Sequence, residues 1–178
     1  MIISLLLIFG QIAFGQNKVT PDNLDNLSVS IKFFDRTIYY PENKDTNPVF
    51  VHISIKNNTN ETLRFKLADD RMFSCDFNAF TVKNTQLQQT ESIISKRTTN
   101  QTVYFREISL ETGEEYSFVE NLKEYIQITE PSVYYIELNF YPELYKSKYL
   151  SKTSNRLTLE VRPSPSAASS SVLPVKNK

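Results

Sequence analysis

The chain has 178 residues, a formal net charge of zero and a sequence pI near 6.6. That length suits one domain with tails, and an apolar fraction of 40% is enough for one core. A neutral chain without a dense basic run has no electrostatic footprint for nucleic acid or for an anionic membrane.

In chain order, residues 1–15, MIISLLLIFGQIAFG, read as an export leader. Ile2 to Phe9 form a short apolar run, and Ala13 and Gly15 place small residues for cleavage before Gln16. The run is too short to span a bilayer comfortably. The expected location is therefore the periplasm or the cell exterior, with no membrane span in the mature chain. Residues 16–26 read as a loose lead-in and 27–162 as the folded domain. The tail from 163 to 178, rich in Ser, Pro and Ala, reads as disordered.

Within the domain, apolar and polar residues alternate with period two. LSVSIKF (27–33), VFVHISI (49–55), LRFKL (63–67), YIELNF (135–140) and RLTLEVR (156–162) each put apolar side chains on one face. Phe77–Lys83, Thr102–Ser109 and Glu115–Val119 are weaker strand candidates. Turn-forming clusters separate them: PENKDTNP (41–48), NNTNE (57–61) and LETGE (110–114). No long helical period is visible; short helical turns fit Glu120–Ile126 and Pro142–Tyr149. The predicted fold is all-β, an immunoglobulin-like antiparallel β-sandwich of seven to eight strands.

Only three glycines occur, and two of them, Gly10 and Gly15, lie in the leader. Gly113 is thus the one glycine of the domain, placed where a tight turn between two strands needs positive φ. Its surroundings, ISLETGEEYSFVENLKEYIQITEPSVYYIELNF (108–140), read as strand, Gly-Glu turn, strand, a short Leu-to-Tyr segment, then Pro-x-x-Tyr opening a long strand. This resembles the "L-x-P-G-E … L … Y … P-G-x-Y" end of many immunoglobulin-like domains. In particular it resembles the intracellular proteinase inhibitor family named after a Bacillus subtilis inhibitor. VFVHISIKNNTNETLRFKL (49–67) is similar to that family's early hairpin and FNAFTVKNTQ (77–86) to its next strand. Thr112 stands where the family pattern has proline and Ser132 where it has glycine. The resemblance implies a small sandwich and, as an activity, protease inhibition through a rigid loop.

Catalytic chemistry finds no foothold. His52 is the one histidine, on the polar face of a strand, and builds no triad alone. Cys75 is the one cysteine; it reads as a small buried side chain beside Asp76, whose charge disfavours a thiolate. Without a His or Cys cluster, zinc has no ligand set. Asp35, Glu42, Asn43, Asp45 and Asn47 bring oxygen ligands to one loop, which suits turn chemistry better than Ca²⁺. Asp69-Asp70 and Glu114-Glu115 are neighbours on presumed strands, so each pair diverges. No cofactor is implied. Asn26, Asn57, Asn60 and Asn100 lie in N-x-S/T sequons.

The stretch YPELYKSKYL (141–150) carries Tyr141, Tyr145 and Tyr149 at spacing four, with lysines between. In a helix these rings share a face, and tyrosine is a favoured contact residue; burial against the sandwich edge is the competing reading. The functional expectation is a non-enzymatic, exported protein-binding module of a bacterial envelope. Its partner would be a protein, a protease or an envelope component. The alternatives are a proteinase inhibitor and a structural accessory subunit of an envelope assembly.

Overall fold

A computed structural model describes residues 17–18, 24–35, 37–40, 48–143 and 150–163. The leader, most of the 41–48 turn, Tyr145, Tyr149 and the tail lie outside the described residues.

The elements in chain order are β1 (Asn17–Lys18), β2 (Leu27–Phe33), β3 (Ile38–Tyr39), β4 (Phe50–Asn57), β5 (Leu63–Ala68), β6 (Cys75–Thr81), α1 (Glu91–Thr98), β7 (Phe105–Leu110), β8 (Glu115–Asn121), β9 (Ser132–Phe140), β10 (Lys152–Thr153) and β11 (Leu157–Val161). Single 3-10 turns occupy Leu24–Asn26, Arg71–Phe73 and Leu122–Glu124. Eight of the strands have five or more residues, in line with the seven to eight expected from period-two alternation. The helical turn expected over Glu120–Ile126 is the 3-10 turn at Leu122–Glu124. The helix α1 was not expected.

One layer is the antiparallel sheet β2-β4-β8. The other is built on β9, which pairs with β6 on one side and with β10 and β11 on the other, while β3 adds in parallel to β11. The antiparallel pair β5-β7 joins this second layer where Lys66 N–H donates to Pro142 O (2.9 Å), just past the end of β9. Thus β5 and β6 run along the same side of β9, interrupted by the loop 69–74, and Tyr141 N–H donates to Ser74 O where they meet.

Alternation decides what fills the space between the layers. Val29 and Ile31 of β2 and Val51, Ile53 and Ile55 of β4 face Phe77, Ala79, Ile136, Leu138, Phe140 and Leu159, all of them buried. Each of these side chains other than Ala79 contributes about 1.5–3 kcal/mol by leaving water. Edge-to-face ring pairs, Phe65–Phe140 at 5.6 Å and Phe77–Tyr125 at 4.9 Å, fix the rotation of the larger side chains.

Two asparagines tie the layers together. Asn57, fully buried at the end of β4, has a carboxamide Nδ2 within reach of three carbonyls: Glu61 O (2.8 Å), Leu110 O (2.9 Å) and Glu111 O (3.2 Å). Its Oδ1 accepts from Thr59 N–H and Thr59 Oγ1. Its backbone meets the other turn, with Gly113 N–H donating to Asn57 O at 2.9 Å. That is why the domain's one glycine sits at 113: its φ is +75°, in the left-handed region. Asn155 lies between β10 and β11, and its side chain clamps the outer edge of β2. Ile31 N–H donates to Asn155 Oδ1 (2.8 Å), and Asn155 Nδ2 donates to Ile31 O (3.0 Å).

The helix α1 is held by polar bonds more than by burial. Ile93 is its one buried residue. Thr90 caps its first turn through Ile93 N–H. Near its end Arg97, with a side chain 5% exposed, pairs with Asp76 Oδ1 at 2.8 Å and donates to Met72 O and Cys75 O at 2.7 Å each.

Two stability measurements follow from these contacts. Asn57→Ala leaves several buried backbone groups unpaired and is expected to cost about 2–4 kcal/mol in urea denaturation, from one to three lost bonds with their desolvation penalty. Gly113→Ala meets nothing within 4 Å of the added Cβ, so only the positive φ opposes it; about 1 kcal/mol is expected, and a much larger loss would contradict the open turn.

Candidate protein-binding edge

Most strand edges of the sandwich are covered. Asn155 plugs β2 at Ile31, β3 covers β11, and an extended stretch at 86–89 covers β6, with Leu87 N–H donating to Ala79 O. Among the described residues, β7 and β8 each end their sheet without a strand partner on the outer side. These two edges are consecutive in sequence and lie in opposite layers.

The gap between them is lined by aromatic rings. Tyr116 and Phe118 of β8 stand opposite Ile55 and Ile53 of β4, so they point into the sandwich. Because β8 is at the edge, both stay half-exposed while packing on the core. Their rings lie 6.0 Å apart. At the start of β7, Tyr104 is 70% exposed, while Phe105, 38% exposed and opposite Ala68, alternates with the inward-facing Arg106 and Ile108 and so turns to the outer face of its sheet. Asp69 N–H donates to Tyr104 O, which fastens that corner to the end of β5.

Arg71 bridges the two sides. Its guanidinium donates to Ala68 O, sits 5.3 Å from the Phe118 ring centre, and reaches Tyr116 Oη at 3.4 Å. The loop 69–74 that interrupts the β5–β6 line is what carries Arg71 there. Asp70 shapes this loop by accepting from Met72 N–H, and Lys96 of α1 pairs with Asp70 at 2.9 Å. Asp69 pairs with Arg106 at 3.6 Å. Aromatic rings with an arginine, partly desolvated and flanked by paired charges, have the composition of binding hot spots.

Deeper in the same side, Glu120 accepts from Tyr125 Oη at 3.0 Å. Burial pushes the Glu120 carboxyl above its ordinary value, offset in part by the Tyr125 hydroxyl and by Arg71. Burial raises the Tyr125 phenol as well, and burial together with the Glu120 charge raises the Cys75 thiol. Cys75 is therefore an inert core side chain, as its sequence context suggests.

The residues singled out from sequence fall elsewhere. Tyr141 is half-buried at the end of β9 and makes a further contact of its own; Tyr145 and Tyr149 lie outside the described residues. Gly113 serves a turn. His52, expected to face solvent, is half-buried on the outer face of β4, between Lys32 and Val119, and its Nδ1 is buried without a hydrogen-bond partner. Asp35 is described and makes a contact, while Glu42, Asn43, Asp45 and Asn47 are not described. Among the described residues no group of three or more acidic, His or Cys side chains could hold a metal. Glu114 accepts from Glu111 N–H and Glu115 from Ser54 Oγ, so that acidic pair diverges. The Asn57 sequon has its carboxamide sealed in the core. Sequence reasoning missed Arg71, Tyr116 and Phe118; the Tyr-Ser-Phe alternation in a weak strand was the available signal.

Residues 28–162 match the family model described as flagellar collar protein C, N-terminal domain, and the chain belongs to that family. A search of curated proteins finds no match. Among solved structures, a Bacteroides uniformis β-glucuronidase is 14% identical with a TM-score of 0.36, over 75% of this chain and 13% of that one. A Listeria innocua β-glucosidase is 13% identical with a TM-score of 0.35, over 76% of this chain and 16% of that one. A structural-genomics target named SoR45 is 7% identical with a TM-score of 0.33, over 88% and 96% of the two chains. These scores carry no argument about function. The chain spans less than a fifth of the two glycosidases.

The Glu120 environment sets a pH dependence. The folded state holds this proton more tightly than the unfolded chain does. Stability from this group is therefore full below the unfolded carboxyl pKa and is lost as pH rises through the higher folded value. Glu120→Gln removes that loss. Its Tm is expected to exceed that of the parent at pH 7, with the difference shrinking as pH falls into the carboxylate range. Equal Tm differences at both pH values would overturn the assignment.

Proposed function

We propose that this chain is a non-enzymatic structural subunit of a bacterial flagellar or envelope assembly, exported to the periplasm, that seats on a protein neighbour through the β7–β8 edge. The observation that carries the reading is membership, over residues 28–162, of the family described as flagellar collar protein C, N-terminal domain. The half-exposed Tyr116 and Phe118 rings, the bridging Arg71 and the exposed Tyr104 supply a surface suited to it. An unpartnered strand edge adds main-chain donors and acceptors for a neighbour.

The test is site-specific photocrosslinking in the source organism. A crosslinker at Tyr104 is expected to capture a component that co-purifies with isolated flagella, while one at Thr158 of β11, outside the β7–β8 edge, captures none. Tyr104→Ser with Val119→Lys changes two exposed positions and is expected to lower recovery with that assembly by about tenfold, the equivalent of about 1.4 kcal/mol. Recovery of a protease alone, or undiminished assembly with both substitutions, would overturn the reading.

A further inference from the structure

On the far side of the β6 edge lies a cleft of about 360 Å³ lined by Asp76, Asn78, Gln86, Gln88 and Gln89, with Leu87 and Ile94 as its apolar part. Its size is within the range of small-molecule sites, about 300–1,000 Å³. We infer that this cleft is a binding site for a neutral oligosaccharide.

The lining itself selects the ligand class. Four of its seven side chains are carboxamides, each able to donate and accept. Two are fixed by neighbours: Gln89 Nε2 donates to Asp76 Oδ1 (2.9 Å) and Gln86 Nε2 to Asn78 Oδ1 (3.3 Å). Gln88 is exposed, and no hydrogen bond to its carboxamide occurs among the described residues. The one charged member, Asp76, is 8% exposed and is held by Arg97 at 2.8 Å. Its charge is already balanced within the protein, so a cation gains little, and no basic side chain lines the cleft to attract an anion. An extended peptide has no ladder to join. The backbone at 86–89 is engaged on both sides, by Leu87 N–H to Ala79 O and by Gln127 N–H to Gln88 O. What remains is a ligand dense in uncharged donors and acceptors with an apolar C–H face. Sugar hydroxyls and acetamido groups match the carboxamides and the Asp76 carboxylate. Ile94, 45% exposed, and Leu87 offer the surface for the ring C–H groups.

This surface is separate from the β7–β8 edge, so the two assignments stand or fall independently. The experiment is an NMR titration of the isotopically labelled full chain with chitotriose and with maltotriose. Saturable shifts of the Asn78, Gln86, Gln88 and Gln89 side-chain amides are expected, with a Kd on the order of 1 mM for at least one sugar. Gln86→Leu with Gln88→Leu alters two exposed side chains and should weaken binding by about tenfold or more while leaving the distant backbone spectrum unchanged. No saturable shift with either sugar would overturn the inference. So would shifts that map elsewhere, or an equal response to a neutral blocked tripeptide.

Discussion

The carboxamide of Asn57 is the constraint on which the arrangement of turns rests. A buried carbonyl without a donor costs about 1–3 kcal/mol, and at this end of the sandwich carbonyls from two turns converge. One side chain serves Glu61, Leu110 and Glu111, while its backbone oxygen takes the Gly113 N–H. The β4–β5 turn and the β7–β8 turn are thereby locked to each other, and β8 leaves that lock with its register on β4 set. Tyr116 and Phe118 face the core side because of this register; a slip of one residue would turn them to the outside and leave Arg71 without a ring to cover.

A second polar anchor works where the helix meets the sheet. The loop 69–74 buries Met72 and Phe73 while α1 buries only Ile93, and the Arg97 guanidinium binds both to β6 through Asp76, Met72 O and Cys75 O. Buried ion pairs of this kind are weak sources of net stability but strict about geometry. Here that geometry sets two surfaces at once: it holds the loop that carries Arg71 toward the edge, and it orients the Asp76 carboxylate that lines the cleft on the other side.

The strands were legible because each long strand has one face in the core, and alternation records that directly. LSVSIKF matches β2 residue for residue. The helix α1 was not legible by periodicity, since one buried isoleucine makes no stripe and Ser92, Ser95 and Thr98 are modest helix formers. Its end signals were present nonetheless: Thr90 before the first turn, Glu91 within it, and Lys96-Arg97 in the last. Gly113 announced a turn, but its partner Asn57 looked like ordinary turn chemistry, because a side chain that collects carbonyls 4 to 54 residues away leaves no local pattern. Arg71 was hidden for the same reason. Its role depends on a loop inserted between two strands that share one neighbour.

The Asn155 clamp has a consequence for valence. A sheet protein with two open edges can add neighbours on both sides and so propagate without limit. Here the β2 edge is occupied by a side chain that imitates a strand at a single residue, donating to and accepting from Ile31. An incoming strand on β2 would have to displace that side chain, whereas the outer side of β8 carries no strand partner among the described residues. The clamp thus makes the two ends of that three-stranded sheet unequal, one plugged at Ile31 by a side chain and the other open along β8.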